Sequence, residues 1–124
     1  DHEAAAEKTS GMSTVSTHVL DTARGMPARG IRITLQRSTV EHKWEDLVMG
    51  STNADGRVPE LLPKDTQLPA GIYRIRFDVS AYFSEHKAKS FYPYIEVVFE
   101  LGADGHYHVP LLLSPWGYST YRGS

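Results

Sequence analysis

The chain has 124 residues, a length typical of one domain that can bury a hydrophobic core without disulfides. It contains no cysteine, which excludes a thiol nucleophile, a disulfide framework and a cysteine-ligated zinc site. With 13 basic and 15 acidic residues the net charge is −2, so no overall field favours binding to nucleic acid or a membrane surface. No apolar run approaches the ~20 residues of a membrane-spanning helix.

The sequence divides into a polar tail and one domain. Residues 1–13 (DHEAAAEKTSGMS) are polar, rich in alanine and without a useful period, and we expect a flexible tail with no functional role. Residues 14–124 are expected to form the domain. Its first strand begins at Thr14, and period-two alternation assigns its side chains to two faces. The predicted faces are Thr14, Ser16, His18 and Leu20 on one side, and Val15, Thr17 and Val19 on the other.

Six more segments predict strands, with alternation least clear over residues 44–49. They are residues 31–35, 44–49, 71–79, 91–101, 106–113 and 118–121. Residues 52–56 (TNADG) predict a tight turn, because Asn and Asp-Gly tolerate the positive φ that such turns need. Residues 80–89 lack alternation and predict one short helix, with Ser80 as N-cap and Lys87 and Lys89 near its C-terminal end. Seven or eight strands with one helix predict an all-β fold, an antiparallel β-sandwich.

Histidines are the main candidates for chemistry. His106 and His108 are two residues apart, so their side chains share one face of a strand. Such a pair can bind zinc, relay protons or have no chemical role, and no nearby Cys, Asp or Glu pattern supplies a third metal ligand. His18 stands on another strand and Arg57 directly after a turn; taken alone, each is a common surface residue. If the protein is an enzyme, its acid–base work falls to histidine and its charge stabilisation to arginine.

Five segments resemble the transthyretin-like family and, within it, the 5-hydroxyisourate hydrolases of purine catabolism. They are residues 16–21 (STHVLD), 52–57 (TNADGR), 91–94 (FYPY), 106–115 (HYHVPLLLSP) and 118–124 (YSTYRGS). The resemblance extends from about Ser16 to Ser124, and the Tyr-Arg-Gly-Ser ending is the signature of the enzymes. Transthyretin itself, a thyroid-hormone carrier, shares the fold but lacks these histidines, the arginine and the ending. The resemblance therefore favours the enzyme, with a carrier and a purely structural or interaction role as the alternatives.

The resemblance implies a transthyretin-like sandwich of two four-stranded sheets. It also implies a homotetramer, a dimer of dimers, with the active sites in a central channel and no nucleic-acid or membrane partner. No metal or organic cofactor is implied. The catalytic residues carried over are His18, Arg57 and His108. The substrate-binding residues carried over are Ser119, Tyr121, Arg122, Gly123 and Ser124.

The implied reaction is hydrolysis of 5-hydroxyisourate to 2-oxo-4-hydroxy-4-carboxy-5-ureidoimidazoline in urate degradation. Neutral imidazole can take a proton from water near pH 7, because its unperturbed pKa is ~6.5. His108 and His18 are therefore expected to activate water and move protons together, without either being fixed as the base. Arg57 is expected to bind the planar, anionic substrate through its fork of donors. Arg122 and Ser124 are expected to hold substrate and close the pocket.

The sequence does not determine the cellular compartment. Members of the family occur in the cytosol, in peroxisomes and in the bacterial periplasm. The chain begins at Asp1 rather than at a methionine, which is compatible with removal of an N-terminal export signal. Its Arg-Gly-Ser ending differs from the Ser-Lys-Leu peroxisomal address. The expectation is cytoplasmic or peroxisomal, with a periplasmic location as the alternative.

Overall fold

The computed structural model describes residues 12–124, which form nine strands and one helix. In chain order these elements are β1 (Met12–Asp21), β2 (Met26–Pro27), β3 (Arg32–Ser38), β4 (Trp44–Ser51), β5 (Leu68–Pro69), β6 (Gly71–Asp78), α1 (Ser80–Glu85), β7 (Ile95–Leu101), β8 (Gly105–Ser114) and β9 (Gly117–Thr120). No helix in this described part is long and apolar enough to cross a membrane.

The strands form two sheets packed as a sandwich. One sheet has the order β2-β1-β8-β9, with the two-residue β5 also paired to β1, and the other has the order β4-β3-β6-β7. The predicted transthyretin-like sandwich of two sheets is confirmed, and β5 makes the first sheet five-stranded where four strands were expected. One pair departs from the antiparallel expectation, because β1 and β8 run parallel. These two strands are separated by most of the chain, and so long a connection lets them run in the same direction.

The core lies between the sheets and is built by alternation. Tyr73, Ile75 and Phe77 of β6 are fully buried, as the pattern of that strand predicts. Along β1 the burial alternates at every residue, with Val15 and Val19 inside and the opposite face half-exposed. The predicted faces of β1 are therefore confirmed. The outer face of this sheet is the one that carries Ser16, His18 and their neighbours.

The first strand begins two residues earlier than the sequence predicts. β1 starts at Met12, and Ser13 is paired with both Gly105 and Leu68. The Ser13 hydroxyl donates to the carbonyl of Gly102 at 2.8 Å, which explains why a polar residue is buried here. The predicted tail otherwise covers residues 1–11, which lie outside the described residues.

The predicted helix is too long and its N-cap is wrong. The helix spans Ser80–Glu85, and its N-cap is Val79, which makes no side-chain cap hydrogen bond. Val79 directly follows β6 and is fully buried. Because the helix already begins at Ser80, the cap position falls on Val79. Lys87 has a positive φ of 55° and lies beyond the helix, as does Lys89. These lysines therefore do not occupy the last helical turn.

The strand predicted at residues 91–101 is wrong over its first four residues, because β7 begins at Ile95. Pro93 has no backbone N–H to donate to a sheet. The N–H of Phe91 is instead used outside the sheet, in a 2.8 Å hydrogen bond to the carbonyl of Pro115. The ring of Tyr92 packs edge-on against Tyr118 of β9. This segment therefore ties the two sheets together at one end of the sandwich.

Candidate active site

The parallel pairing of β1 and β8 brings the histidines of both strands together. In this register Ser16 lies opposite His108 and Thr14 opposite His106. His18 is two residues beyond Ser16 on the same face, so its ring lies beside that of His108. Their ring centroids are 6.4 Å apart, with the planes tilted by 36°. The outer face of the β2-β1-β8-β9 sheet thus carries a pair of neighbouring, half-exposed imidazoles.

A tight turn places Arg57 next to this pair of histidines. The side-chain oxygen of Asn53 accepts the backbone N–H groups of Asp55 and Arg57 at 2.9 and 3.1 Å, which closes the turn on itself. The carbonyl of Gly56 accepts the N–H of Val19 at 2.8 Å and fastens the turn to β1. Arg57 consequently forms an isolated β-bridge with His18. The predicted turn is confirmed, with Gly56 at a positive φ of 75°.

The same turn fixes the proton position on His18. The Nε2 atom of His18 lies 2.8 Å from the carbonyl oxygen of Asp55. A carbonyl can only accept a hydrogen bond, so Nε2 carries the proton. In the neutral ring, Nδ1 of His18 is therefore the nitrogen that holds the free lone pair.

His108 is in an environment that favours its neutral form. Burial lowers the pKa of His108, and the positive charges of Arg57, His18 and His106 lower that pKa further. Its Nδ1 atom lies 2.8 Å from the hydroxyl of Ser16. Among residues 12–124 no group is hydrogen-bonded to the other ring nitrogen, Nε2. The neutral ring has one nitrogen that can accept a proton near neutral pH.

The C-terminal segment touches the site through Gly123. Its backbone N–H donates to the carbonyl of His108 at 2.7 Å, and the two residues form an isolated bridge. A Cβ added at Gly123 would lie 2.7 Å from Cδ2 of the His108 ring, closer than side chains tolerate. The glycine thus allows the tail to pass directly against the imidazole.

Arg122 and Tyr121 lie away from the histidines in this chain. The guanidinium of Arg122 stacks over the ring of Tyr107 at 4.1 Å from its centroid. Tyr107 alternates with His106 and His108 along β8, so it points to the opposite side of the sheet. Tyr121 and Arg122 line a groove of about 460 Å³ there, beside Val98 of β7.

The two serines carried over from the resemblance lie at different places. Ser119 pairs with Leu112 of β8, which shares the face of His108, so Ser119 belongs to the histidine face. Ser124 is exposed at the end of the chain. The structure therefore brings His18, Arg57, His108 and Gly123 together and places Tyr121 and Arg122 elsewhere.

Sequence reasoning missed three groups that contact the imidazoles. The Ser16 hydroxyl lies between His106 and His108, and the Thr14 hydroxyl lies 2.6 Å from Nδ1 of His106. Thr14 and Ser16 were both predicted on the same strand face as His18, and this shared face could have indicated that they contact the imidazoles. The Asp55 carbonyl left no signal, since a backbone acceptor does not depend on residue type. Within residues 12–124, no three His, Cys, Asp or Glu side chains are placed to hold a metal ion.

These features define a class of protein, a transthyretin-like sandwich with a histidine–arginine cluster on the outer face of one sheet. Residues 15–123 match the model of the HIUase/Transthyretin family, and the chain belongs to this family. It is 48% identical over 114 residues to the mouse (Mus musculus) protein named 5-hydroxyisourate hydrolase, a match covering 90% of this chain and 96% of the relative.

Solved structures show the same architecture. Transthyretin from Sparus aurata superposes with a TM-score of 0.82 at 32% identity, covering 88% of this chain and 95% of that one. The 5-hydroxyisourate hydrolase of Klebsiella pneumoniae superposes with a TM-score of 0.78 at 37% identity, covering 90% and 94%. The fold is thus shared by proteins of both names, and the site has to distinguish between them.

Proposed function

We propose that this protein hydrolyses 5-hydroxyisourate to 2-oxo-4-hydroxy-4-carboxy-5-ureidoimidazoline, a step of urate degradation, without a metal or organic cofactor. The observation that carries the proposal is the grouping of His108, His18 and Arg57 on one sheet face, where burial and neighbouring positive charge lower the pKa of His108. The prediction of a hydrolase of this kind is confirmed at the level of the enzyme class by a relative of that name at 48% identity. The product and the mechanism are our proposal.

The chemical step breaks an acyl–nitrogen bond in the six-membered ring of the substrate. Water attacks the carbonyl carbon while its proton passes to an imidazole, and the bond to nitrogen then breaks as that nitrogen takes a proton. Nε2 of His108 suits the first transfer, because the lowered pKa keeps the ring neutral near pH 7 and Nε2 holds a lone pair when the proton is on Nδ1. The number of protons is conserved, since the imidazole that accepts one can return it to the leaving nitrogen.

His18 has a different geometry and therefore a different proposed role. With its Nε2 proton donated to the Asp55 carbonyl, its Nδ1 atom is the group available to the reactants. In the neutral ring Nδ1 can accept a hydrogen bond from the attacking water, and in the charged ring it can donate a proton. We assign His18 to positioning that water and to proton transfer alongside His108.

Arg57 supplies positive charge to the same place. Arg57 is exposed at the end of the turn that bridges to His18, and its positive charge lowers the pKa of His108. A planar guanidinium offers several parallel donors to a planar substrate that is rich in carbonyl oxygens. We propose that Arg57 binds the substrate and stabilises the oxyanion that forms as water adds.

The C-terminal residues are proposed to bind substrate in two ways. Ser119, Gly123 and Ser124 belong to or adjoin the histidine face of their own chain. Tyr121 and Arg122 line the groove on the other side, so they reach a histidine site more directly if a neighbouring subunit supplies that site.

A homotetramer, a dimer of dimers, is proposed on the exposed edges. β7 and β9 end their sheets, and unpaired edge strands favour pairing with another chain. Apolar side chains are exposed on these edges, with Val98 of β7 at 57% and Tyr118 of β9 at 42% relative exposure. Pairing of copies would cover this surface.

The direct test is the ultraviolet decay of 5-hydroxyisourate, generated freshly from urate by urate oxidase, with and without this protein. We expect a large acceleration and formation of the named product, identified by mass spectrometry. A folded protein that leaves the decay unchanged would contradict the proposal. Tight binding of a thyroxine-like ligand without turnover would instead support a carrier.

A further inference from the structure

Four polar side chains form a continuous hydrogen-bonded chain across β1 and β8. Thr14 Oγ1 lies 2.6 Å from Nδ1 of His106, and Nε2 of the same ring lies 3.2 Å from Ser16 Oγ. Ser16 Oγ then lies 2.8 Å from Nδ1 of His108. The in-register pairing of Thr14 with His106 and of Ser16 with His108 produces this ladder. Neither Ser16 nor His106 has a role in the mechanism above.

The chain has three consistent orders when both rings are neutral, because each hydroxyl and each ring contributes one proton and a hydroxyl oxygen can accept two. In the first order, His108 Nδ1–H donates to Ser16, Ser16 donates to His106 Nε2, and His106 Nδ1–H donates to Thr14. In the second order every donor is reversed, and His108 carries its proton on Nε2. In the third order both rings donate to Ser16, whose own proton binds outside the chain. Only the second order leaves His108 unable to take a proton from water on Nε2.

The surroundings favour the first order over the second. In the second order the Nε2–H group of His108 has no hydrogen-bond acceptor among the described residues, and the neighbouring Arg57 guanidinium offers only donors. At the other end, His106 borders an open cavity of about 300 Å³ that is also lined by Glu60, Lys64 and Asp65. Thr14 lines the same cavity, so in the first order its hydroxyl proton can bind solvent there.

We propose that Ser16 and His106 are positioning residues that hold the proton of His108 on Nδ1 and so keep its Nε2 free as the base. The role rests on the proposed function, since it matters only if His108 takes a proton from water. Ser16 acts on His108 directly, and His106 acts through Ser16 by accepting its hydroxyl proton.

The test is the tautomer of His108, read from ¹⁵N-labelled histidine by two-bond ¹⁵N–¹H correlation without substrate. The His108 signals are assigned by their loss in His108→Gln. We expect the Nδ1–H tautomer in the native protein and a shift towards Nε2–H in Ser16→Ala. His106→Gln should retain Nδ1–H, because its amide oxygen still accepts from Ser16. Ser51→Ala makes the same change in β4 of the other sheet and should have no effect.

An Nε2–H tautomer in the native protein, or an unchanged tautomer in Ser16→Ala, would overturn the proposal. Kinetics supply the second readout: Ser16→Ala should lower kcat by about 10- to 100-fold with KM little changed, and His106→Gln should restore most of the rate that His106→Leu loses. Because the tautomer is measured without turnover, an inactive protein with the expected tautomers would reject the hydrolase function and leave this arrangement standing.

Discussion

Three single residues act on the ring of His108. Ser16 binds its Nδ1 atom, Gly123 passes against its Cδ2 atom, and the charge of Arg57 acts on its protonation. None of these residues is unusual by type, and their effect comes from being adjacent to one imidazole. The sequence placed His108 and His106 on one face, but only the register of β1 against β8 determines which hydroxyl each ring meets.

The first prediction concerns the pKa of His108. Burial and then the Arg57 charge lower it, so in the native protein His108 should titrate below the ~6.5 of a free imidazole. Activity that depends on the neutral ring is then present above this pKa and is lost as the pH falls through it. Arg57→Gln should raise the pKa of His108, without restoring the ordinary value, because burial remains. The measurement is an NMR titration of the His108 ring, with Arg32→Gln as the control. A pKa unchanged or lowered in Arg57→Gln would show that the two groups are not coupled.

The second prediction uses the close contact at Gly123. Gly123→Ala places a methyl group against the His108 ring, which must then move. We expect kcat/KM to fall by about 10- to 100-fold, since small displacements of a reacting group are costly, while the urea midpoint changes little. Gly117→Ala is the matched control, because a Cβ there meets nothing closer than 3.9 Å. Equal rates for the two variants would mean that the tail does not position His108.

At the scale of elements, the turn at residues 52–56 has the most specific backbone requirement. Gly56 has a positive φ of 75°, and a Cβ added there would collide with the carbonyl oxygen of Val19. The turn therefore lies close to β1 because residue 56 is glycine, and this contact brings Arg57 to His18.

The third prediction separates the strain of this turn from its close packing. Gly56→Ala and Gly25→Ala both place alanine at a positive φ near 70°, which costs about 1–2 kcal/mol. A Cβ at Gly25 meets nothing within 4 Å, so Gly56→Ala should lose at least ~1 kcal/mol more than Gly25→Ala. Chemical denaturation measures both free energies of unfolding. Equal losses would show that the turn can move away from β1 without cost.

Elements differed in how well the sequence could predict them, for physical reasons. β6 was predicted correctly because one of its faces is fully buried and the other is polar, so its period is clear. The predicted boundaries of α1 and β7 were wrong because the real ones depend on tertiary contacts. For α1 the contact is the burial of Val79, and for β7 it is the hydrogen bond from Phe91 to Pro115. The parallel β1–β8 pair leaves no local signal, and the family resemblance rather than alternation pointed to the site residues.

At the scale of the whole molecule, the histidine face lies outside the core. It is the outer surface of the β2-β1-β8-β9 sheet, and the exposed edges of β7 and β9 adjoin the groove of Tyr121 and Arg122. A tetramer that pairs such edges and faces would enclose the histidines and remove water around them. Enclosure strengthens each electrostatic contact with a substrate.

The C-terminal tail can be tested separately from the proposed tetramer. Deleting residues 121–124 removes the Gly123 contact to His108 and the Arg122 side chain, and we expect activity to be abolished while the proposed tetramer persists. Size-exclusion chromatography with light scattering gives the assembly, and the substrate decay gives the activity. Retained activity would make the tail structural, and dissociation of the tetramer would place it in the assembly contacts.

The role of His108 is tested by the rate of 5-hydroxyisourate hydrolysis by native protein and by His108→Asn, with His42→Asn as control. His42 is exposed in a loop at a φ of 60°, which asparagine tolerates, so this variant should keep the native rate. We expect rapid hydrolysis by the native protein and a kcat/KM at least ~10²-fold lower in His108→Asn. A folded His108→Asn variant with the native rate would show that this imidazole does not carry the reaction.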